Sequence, residues 1–251
     1  MNDLTSHSAA FRVKHHQSSC PWLLVVDHAS AVIPEEFRSL GLTTRDLDRH
    51  IAYDIGALAV AERVADYLGA TLIYSLVSRL VIDCNRPLDA PGLIPTDGDE
   101  GSIPGNSEVT AADRQSRVDR FWRPYHDAIE SIIDDRSSRA VPTRYLAVHS
   151  MTDQLRGHRR YMDGAVLYRS PSVLGPRLAD VWTHRYGLNI AHNQPYQLTD
   201  QTDYSVPFHA ERRGIEYIEL EMRQDLIADA FGQQQWAQLL IDGLLSLETY
   251  F

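Results

Sequence analysis

The sequence predicts a single α/β domain in which helices cover both faces of a mixed, mostly parallel sheet. Short continuous apolar runs, such as Trp22–Val26, are typical of strands buried on both faces. Amphipathic segments with a helical period, such as residues 174–186, alternate with these runs along the chain. The 251 residues are 43% hydrophobic, which is ample for one core, and no repeat or linker divides them. We therefore expect a flexible arm over residues 1–19 and one domain over residues 20–251.

The composition and net charge of the chain limit the kinds of molecule that it is expected to bind. The chain has 34 acidic and 24 basic residues and a net charge of −10, which argues against electrostatic binding to nucleic acid or to an anionic membrane. Its two cysteines form neither a disulfide framework nor a zinc ribbon. The first residues lack the apolar core of a secretory signal, and no apolar run reaches the roughly 18 residues of a membrane span. We expect a soluble, cytoplasmic protein.

The N-terminal half is predicted to alternate strands and helices before a long loop. The first strand, Trp22–Val26, ends at Asp27-His28, which places a histidine of catalytic or merely structural role at its carboxyl end. In the longer helix, His50 and Asp54 would share one face. The loop, residues 88–109, is either a lid over a site or a solvated insertion. The predicted elements are a short helix from Pro34 to Gly41, a helix over 44–68, a strand over 70–77 and a strand-like stretch over 80–82 that Pro87 ends.

The C-terminal half continues this alternation. Thr110 can cap a long amphipathic helix, which Pro124 would kink or split. The next strand, 144–148, leads into His149, so a second apolar strand carries a histidine at its carboxyl end. On the last strand, Glu219 and Glu221 point to the same side. The predicted elements are helices over 110–137, 174–186, 224–230 and 233–248, strands over 144–148, 164–168 and 214–221, and polar loops over 152–163 and 192–213.

The carboxyl ends of these strands bring polar side chains to one rim of the sheet, where ligands of α/β proteins bind. Two histidines and a carboxylate are the usual protein ligands of a hydrolytic zinc, so His28 and His149 are candidate ligands. The carboxylate could be Asp54, Glu35 or Glu36. A further glutamate that binds no metal could act as general base. No HExxH, GxSxG or P-loop motif is present.

Residues 78–87, SRLVIDCNRP, contain a dense group of polar side chains. In an extended chain, Asp83 and Asn85 would face the same side. The planar guanidinium of Arg86 suits a carboxylate or a phosphate. The stretch could therefore recognise an anionic substrate, or it could be a strand end whose arginine pairs with its own aspartate.

Several motifs along the chain occur together in a recognisable order. They are DHAS at 27–30 followed by Ile33-Pro34, HIAYDIG at 50–56, SRLVIDCNRP at 78–87, IPGN at 103–106, His149-Ser150, NQPY at 193–196 and EMRQDLI at 221–227. In this order they resemble the N-formylglutamate amidohydrolase family, from about Val25 to Ile227. Residues 20–251 would then be a catalytic domain of that type.

That family is similar to zinc carboxypeptidases and aspartoacylases, so the resemblance implies a zinc-carboxypeptidase-like, phosphorylase/hydrolase-like fold. It implies that His28 and His149 bind Zn²⁺ or another divalent metal, and that Glu221 is the general base. Asp54 is preferred as third ligand because it lies in a shared motif. Three residues after the first histidine, where carboxypeptidases have a ligand glutamate, this chain has Ala31.

The resemblance also implies a substrate site. Asn85 and Arg86 would hold a substrate carboxylate, and a cationic group such as Arg79 would stabilise the oxyanion as a catalytic residue. Arg160 is followed by Tyr161-Met162, whereas the family motif continues with Pro-Trp. The further candidate substrate-binding residues are Arg160, Asn193, Tyr196 and Arg223.

The implied activity is metal-dependent hydrolysis of a small anionic N-acyl amino acid. N-formylglutamate, giving formate and glutamate in bacterial histidine catabolism, is the first candidate. The alternatives are a zinc peptidase or amidase acting on a peptide or cell-wall substrate, and a non-catalytic binding protein of the same fold. His209 lies in a loop that could reach the site, or it is a structural histidine.

Overall fold

A computed structural model describes residues 8–98, 101–155 and 157–248 of the chain. Within these residues, a seven-stranded sheet is accompanied by two short hairpins and six α-helices. The elements are β1 (Phe11–Lys14), β2 (Trp22–Val26), α1 (Thr44–Leu47), α2 (Ala57–Leu68), β3 (Thr71–Ser75), β4 (Asp97–Gly98), β5 (Gly101–Ser102), α3 (Ala111–Arg117), α4 (Arg123–Ser138), β6 (Arg144–Met151), β7 (Gln154–Leu155), β8 (His158–Arg159), β9 (Gly164–Leu167), α5 (Leu174–Tyr186), β10 (Ile190–His192), β11 (Tyr217–Arg223) and α6 (Ala230–Glu248).

The strands of the large sheet follow the order β1-β3-β2-β6-β11-β9-β10. The four strands β3, β2, β6 and β11 run parallel to their neighbours in this series. At one edge β1 is antiparallel to β3, and at the other β9 is antiparallel to β11 and parallel to β10. The predicted α/β class with a mixed, mostly parallel sheet is therefore confirmed.

Strand β2 shows how the apolar runs bury both faces of the sheet. Trp22 and Leu24 belong to one hydrophobic cluster, and Leu23 and Val25 belong to the other. Successive side chains of a strand point to opposite faces, so both faces of β2 are covered. Helices α2, α5 and α6 cover the first face, and α4 covers the second. Each such buried side chain stabilises the fold by about 1.5–3 kcal/mol.

Part of the predicted N-terminal arm belongs to the sheet. Residues 11–14 form the edge strand β1, in which Phe11 pairs with Ser75 and Val13 with Ile73. Phe11 is buried against the second cluster, and this contact explains why the segment is ordered. The expectation of a loose arm is therefore wrong for these residues, and residues 1–7 lie outside the described part.

The helix predicted over 44–68 is two helices separated by turns. Thr43 and Asp46 form a capping box at the start of α1, which ends at Leu47. Gly56 has a φ of +79°, and a Cβ there would lie 2.2 Å from the carbonyl oxygen of Ile227. The chain therefore leaves the helical path between α1 and α2 and brings Asp54 to the carboxyl end of β2. There the Asp54 amide donates to the His28 carbonyl at 2.9 Å.

Residues 78–87 form turns, so the predicted strand-like conformation is wrong. The Val81 amide donates to the Ser78 carbonyl at 2.9 Å, and the Asp83 amide donates to the Leu93 carbonyl at 2.8 Å. Buried apolar side chains in this stretch pack into the second cluster without joining a ladder. A short apolar run can be buried in a coil when its backbone groups bond locally.

The helix predicted over 110–137 is continuous from Ala111 to Ser138, and its turns widen just before Pro124. Thr110 and Asp113 form a capping box at the start of α3. Wider, π-type turns over residues 118–122 connect α3 to α4, and Pro124 occupies the first turn of α4, where its missing N–H is tolerated.

Strands β6 and β11 extend further toward their carboxyl ends than predicted. His149 and Glu221 therefore lie within paired strands, directly opposite each other in the parallel register. The loop predicted over 192–213 contains the end of β10 and a helical turn over residues 206–210. None of the helices in the described part of the chain has the length and apolar character needed to cross a membrane.

Candidate active site

A cavity of about 470 Å³ opens at the carboxyl end of the parallel strands. Its wall comes from the segments that follow β2 and β3, from the ends of β6 and β11, and from the loop after β10. The lining residues are His28, His50, Asp54, Arg79, Asn85, Arg86, His149, Ser150, Leu167, Pro195, Tyr196, Gln197, Thr199, Thr202, Asp203, Glu219 and Glu221.

Three buried side chains in this wall form a potential metal-binding cluster. His28, Asp54 and His149 each offer one ligand atom, and these atoms lie within 4.8 Å of one another. Nδ1 of His149 is 2.8 Å from Oδ2 of Asp54, and Nδ1 of His28 is 3.4 Å from the same oxygen. Both imidazoles thus turn the same ring atom toward the shared carboxylate.

The opposite ring nitrogens of the histidines face two other buried carboxylates. Nε2 of His28 lies 2.7 Å from Asp83. Nε2 of His149 lies 3.6 Å from Asp27, which is longer than an ordinary hydrogen bond. A carboxylate behind a histidine fixes the ring orientation and tautomer, and leaves the other nitrogen for a ligand.

Hydrogen bonds from two hydroxyl groups fix the position of the Asp27 carboxylate. Its Oδ1 accepts hydrogen bonds from the Tyr125 hydroxyl at 2.8 Å and from the Ser205 hydroxyl at 2.7 Å. Burial alone would raise the pKa of Asp27, but the nearby imidazoles of His149 and His28 and the hydrogen bond from Ser205 lower this pKa to about 2. Asp27 is therefore a fixed negative charge at neutral pH.

Arg79 is the cation closest to the cluster. Its guanidinium contacts Nδ1 of His28 and lies 3.3 Å from Oδ1 of Asp54. Its Nε is 3.8 Å from Asp83. The arginine is therefore held between two carboxylates, with its terminal nitrogens at the cavity wall.

Glu221 lies directly opposite His149 in the paired strands β6 and β11. The residue is 8% exposed, and its Oε2 has no hydrogen-bond partner among the described residues. Burial, opposed by the charge of His149 and reinforced by that of Asp54, raises the pKa of Glu221 to about 7. A carboxyl with such a pKa exchanges protons readily near neutral pH, as general acid–base catalysis requires.

Asn85 and Arg86 lie together at another part of the wall. Oδ1 of Asn85 accepts from the backbone amides of Tyr204 and Ser205 at 3.1 and 3.0 Å, which turns its amide nitrogen away from that loop. Arg86 donates to the Thr202 carbonyl, and its side chain is 32% exposed. Both side chains retain donors that could meet an anion.

Only one of the two long loops predicted from the sequence contributes described residues to the cavity wall. Residues 195–203 supply six lining residues, whereas none of the described residues of 88–109 lines the cavity. The predicted lid over 88–109 is thus not part of the wall. The Asn106 side chain instead donates to the Leu80 and Pro95 carbonyls at 2.8 and 2.7 Å, so this loop supports the 78–87 turns from outside.

Three of the predicted substrate-binding residues do not line the cavity. Arg160 lies behind Tyr196, to whose hydroxyl it donates at 2.7 Å. Asn193 accepts from the Tyr168 amide at 2.8 Å. Arg223 donates to the Met162 carbonyl at 3.1 Å and pairs with Asp225 at 2.7 Å. Their polar atoms form hydrogen bonds that stabilise the loops around the site. Local sequence cannot distinguish this structural role from contact with a substrate.

Three further candidate residues lie away from the metal-binding cluster. Glu35 and Glu36 are exposed, and Glu36 pairs with Arg120 on the surface, so neither joins the histidines. His209 is fully buried and bonds His126 at 2.8 Å between Nε2 and Nδ1, outside the cavity wall.

A profile of the N-formylglutamate amidohydrolase family matches residues 20–228. The chain belongs to this family. An N-formylglutamate deformylase of Pseudomonas putida is 30% identical over 141 residues, which span 47% of this chain and 47% of that protein. The aligned region is therefore about half the length of this relative.

Solved structures share the fold. A gene product of Agrobacterium tumefaciens superposes with a TM-score of 0.90 at 33% identity, over 95% of this chain and 96% of the other. An N-formylglutamate amidohydrolase of Ralstonia eutropha JMP134 superposes with a TM-score of 0.68 at 21% identity, over 96% and 98% of the two chains. The second likeness supports the fold alone.

The donor set in this family member suits a divalent metal. Two imidazoles and one carboxylate are the usual protein donors of a hydrolytic zinc. Oδ1 of Asp54 is buried and accepts no hydrogen bond from the described residues, although the Arg79 guanidinium lies 3.3 Å away. His50, whose Nε2 is 3.8 Å from Asp54, has its pKa lowered to about 4 by burial, so it adds no positive charge that would repel a cation.

The sequence alone assigned no role in this site to Asp27, His50 or Glu219. Asp27 precedes a candidate ligand directly, and His50 begins the HIAYDIG motif, so both carried a usable signal. Glu219 was recognisable by its alternation with Glu221, which puts the two side chains on one face of β11. Their roles depend on what each side chain meets across the fold, and no spacing reveals that.

Proposed function

We propose that this protein is a metal-dependent amidohydrolase that removes a formyl or related acyl group from an amino acid. N-formylglutamate is the reference substrate, because family membership supports it. The observation that carries the proposal is the juxtaposition of the His28, Asp54 and His149 cluster with the unpaired, buried carboxyl of Glu221. This pairing provides a cation site and a proton-transfer group in one cavity.

His28, Asp54 and His149 would hold the metal, with Zn²⁺ as the first candidate. When bound, the metal would polarise the scissile carbonyl and lower the pKa of a water molecule. Asp83 and Asp27 would keep the two imidazoles in the orientation that presents Nδ1. All three side chains of the cluster are buried, which limits access of bulk water.

Glu221 would carry the proton through the reaction. As a carboxylate it removes a proton from the attacking water, and as a carboxylic acid it returns that proton to the departing amine nitrogen. The pKa of about 7 suits both steps, because neither protonation state is strongly disfavoured at neutral pH. Water adds to the carbonyl carbon and the C–N bond breaks. The second proton of the water passes from the new carboxylic acid to the amine, so the products are a carboxylate and an ammonium group.

Arg79 and the Asn85-Arg86 pair would orient the substrate. Arg79 is held by Asp54 and Asp83, so its guanidinium is preorganised beside the position of the carbonyl oxygen and can stabilise negative charge developing there. The planar fork of Arg86 and the amide nitrogen of Asn85 would bind the α-carboxylate.

Measurement of metal content and of formate release from N-formylglutamate tests this function. We expect about one zinc per chain and hydrolysis of N-formyl amino acids in preference to short peptides. His149→Ala should lose both metal and activity, whereas His184→Ala, a change at an exposed histidine on α5, should keep both. If His149→Ala retains full metal content and activity, the proposed site is wrong.

A further inference from the structure

Two buried side chains behind the cavity wall bond the backbone on either side of Asn85. Nε1 of Trp122 donates to the Arg86 carbonyl at 3.0 Å, and Nε2 of His126 lies 2.9 Å from the Cys84 carbonyl oxygen. Trp122 immediately precedes α4, His126 lies in its first turn, and neither side chain lines the cavity. The two carbonyls that flank Asn85 are thus both fixed by one helical segment.

A second histidine sets the proton positions in this group. A carbonyl oxygen only accepts, so Nε2 of His126 carries the proton and its Nδ1 accepts from Nε2 of His209 at 2.8 Å. Burial lowers the pKa of His126 to about 4 and that of His209 well below its usual value, so both rings are neutral at neutral pH. His209 therefore holds His126 as the tautomer that donates to the Cys84 carbonyl.

The Asn85 side chain is fixed from another direction by the segment that follows the lining loop. Its Oδ1 accepts from the amides of Tyr204 and Ser205, as described above. The ring of Tyr204 packs against the rings of Trp122 and His126, with 4.6 Å between ring centroids in both pairs. The backbone and the carboxamide oxygen of Asn85 are therefore held by one packed group, and its amide nitrogen is left for the cavity.

Arg86 is oriented by the protein before any ligand binds. Its Nε lies 4.0 Å from Asp83, and its Nη1 donates to the Thr202 carbonyl. These contacts offset part of the charge of Arg86, so its affinity for an anion depends on accurate placement beside Asn85. Because donors on two successive residues must meet one carboxylate together, a small shift of the backbone between them weakens binding.

We propose that Trp122 and His126 are positioning residues that hold the Asn85-Arg86 backbone in the geometry that binds the substrate α-carboxylate. They act through the carbonyls of Arg86 and Cys84 and do not touch the substrate. This inference rests on the proposed function, because it takes the α-carboxylate to be bound by Asn85 and Arg86. Loss of either bond then lowers affinity only for ligands that carry an α-carboxylate.

Three ligands that differ by one carboxylate test the inference in a zinc-loaded Glu221→Gln protein, where slow turnover leaves them intact. N-formylglutamate has both carboxylates, 4-formamidobutanoate lacks only the α-carboxylate, and 2-formamidobutanoate lacks only the side-chain carboxylate. Trp122→Phe and His126→Phe each remove the hydrogen bond to the turn and keep an aromatic ring. We expect each change to weaken calorimetric binding of the two α-carboxylate ligands by about five-fold or more and to leave that of 4-formamidobutanoate within about two-fold.

Two further variants separate positioning from a general loss of stability. His126→Gln places a carboxamide nitrogen near the position of Nε2, so it should bind N-formylglutamate within about two-fold of the parent protein. Trp182→Phe removes a matched bond, from the indole of Trp182 to the Leu239 carbonyl at 2.8 Å in the first hydrophobic cluster, and should leave all three affinities unchanged. A loss in Trp182→Phe equal to that in Trp122→Phe overturns the inference, and so does an equal loss in His126→Gln and His126→Phe.

The remaining outcomes separate this inference from the proposed function. Unchanged binding of N-formylglutamate in the phenylalanine variants overturns the inference, and equal weakening of 4-formamidobutanoate does so too. Either phenylalanine variant is sufficient for this comparison if the other does not fold. Binding of none of the three ligands to the parent protein also overturns it. If the ligands bind in the expected pattern while native protein releases no formate from N-formylglutamate, the proposed hydrolysis fails and the positioning assignment stands.

Discussion

The buried acids at the carboxyl end of the sheet form two contrasting groups. In the first, Asp54 and Asp83 lie beside histidine nitrogens at 2.8 and 2.7 Å and beside the guanidinium of Arg79. In the second, Glu219 and Glu221 on β11 form no ion pair with a cation in the described chain, and each has a buried oxygen without a hydrogen-bond partner there. The acids of the first group are paired with cationic side chains. Those of the second group have an oxygen that a bound ligand could contact.

The two groups differ in protonation for a physical reason. Burial disfavours every carboxylate, but opposite charges outweigh this effect for Asp54, so its pKa lies well below the usual value. No equal compensation exists for Glu221, whose pKa is raised to about 7. Paired acids thus supply fixed charge to hold a cation and orient histidines, whereas unpaired acids can exchange protons or bond a ligand.

Removing a member of the paired group should have the largest effect. Asp54→Ala takes one of three donors from the candidate metal cluster and removes the closer of the two carboxylates that hold Arg79. We expect loss of stoichiometric metal and a fall in kcat/KM of at least about 10³-fold, measured by elemental analysis and by formate release. Glu36→Ala serves as the control, because Glu36 is exposed and pairs with Arg120. Loss of metal in the control with retention in Asp54→Ala would reassign the third ligand.

Neutralising the unpaired group should affect turnover and spare the metal. Glu221→Gln keeps the shape of the side chain but removes its ability to exchange a proton. We expect kcat to fall by roughly 10²–10⁴-fold with metal content unchanged, since general acid–base groups contribute factors of this size. Near-native kcat in this variant would show that another group transfers the proton. Loss of metal would instead place Glu221 among the ligands and break the contrast between the two groups.

Asp27→Asn should weaken the paired group by a smaller amount. The change removes the negative charge behind His149 but preserves the size of the side chain and its contacts with Tyr125 and Ser205. We expect metal affinity to fall by about 10–100-fold, as for other groups that orient a ligand histidine, measured by competition with a chelator. Ser205→Ala removes one hydroxyl bond to Asp27 and should have a smaller effect. Equal affinity in native protein and Asp27→Asn would mean that His149 is oriented by Asp54 alone.

The smallest effect concerns stability of the metal-free protein. Because the folded-state pKa of Glu221 lies above its unfolded value, the folded state binds the extra proton between about pH 4.5 and 7, so stability falls as pH rises through this window. Glu221→Gln should therefore stabilise the metal-free protein at pH 8, by on the order of 1–3 kcal/mol, and should have little effect at pH 4. Chemical denaturation at the two pH values measures this. Destabilisation at pH 8 would indicate that the glutamate is paired after all.

Much of the scaffold follows from local sequence. The apolar run Trp22–Val26 and the periodic segment Leu174–Tyr186 are observed with the predicted bounds, because each is long enough to show one clear period and ends at a clear terminator. The same logic placed His28, His149 and Glu221 at one rim, since parallel neighbouring strands present their carboxyl ends together. Asp54 was preferred as third candidate ligand through its motif and lies in the cluster, although the helix predicted to carry it is interrupted by turns.

The sequence by itself determined the chemical types available at the rim: two strand-end histidines, a late glutamate and an arginine-rich turn. Only the tertiary structure decided which carboxylates are paired. Asp54 comes from the turns between two helices, Asp83 from a folded stretch predicted as strand, and Asp27 meets Tyr125 and Ser205 from distant parts of the chain. The spacing of residues in the sequence gives only the order of their side chains along the backbone. Partnership and burial, which set the charge of each acid, arise from contacts between segments about a hundred residues apart.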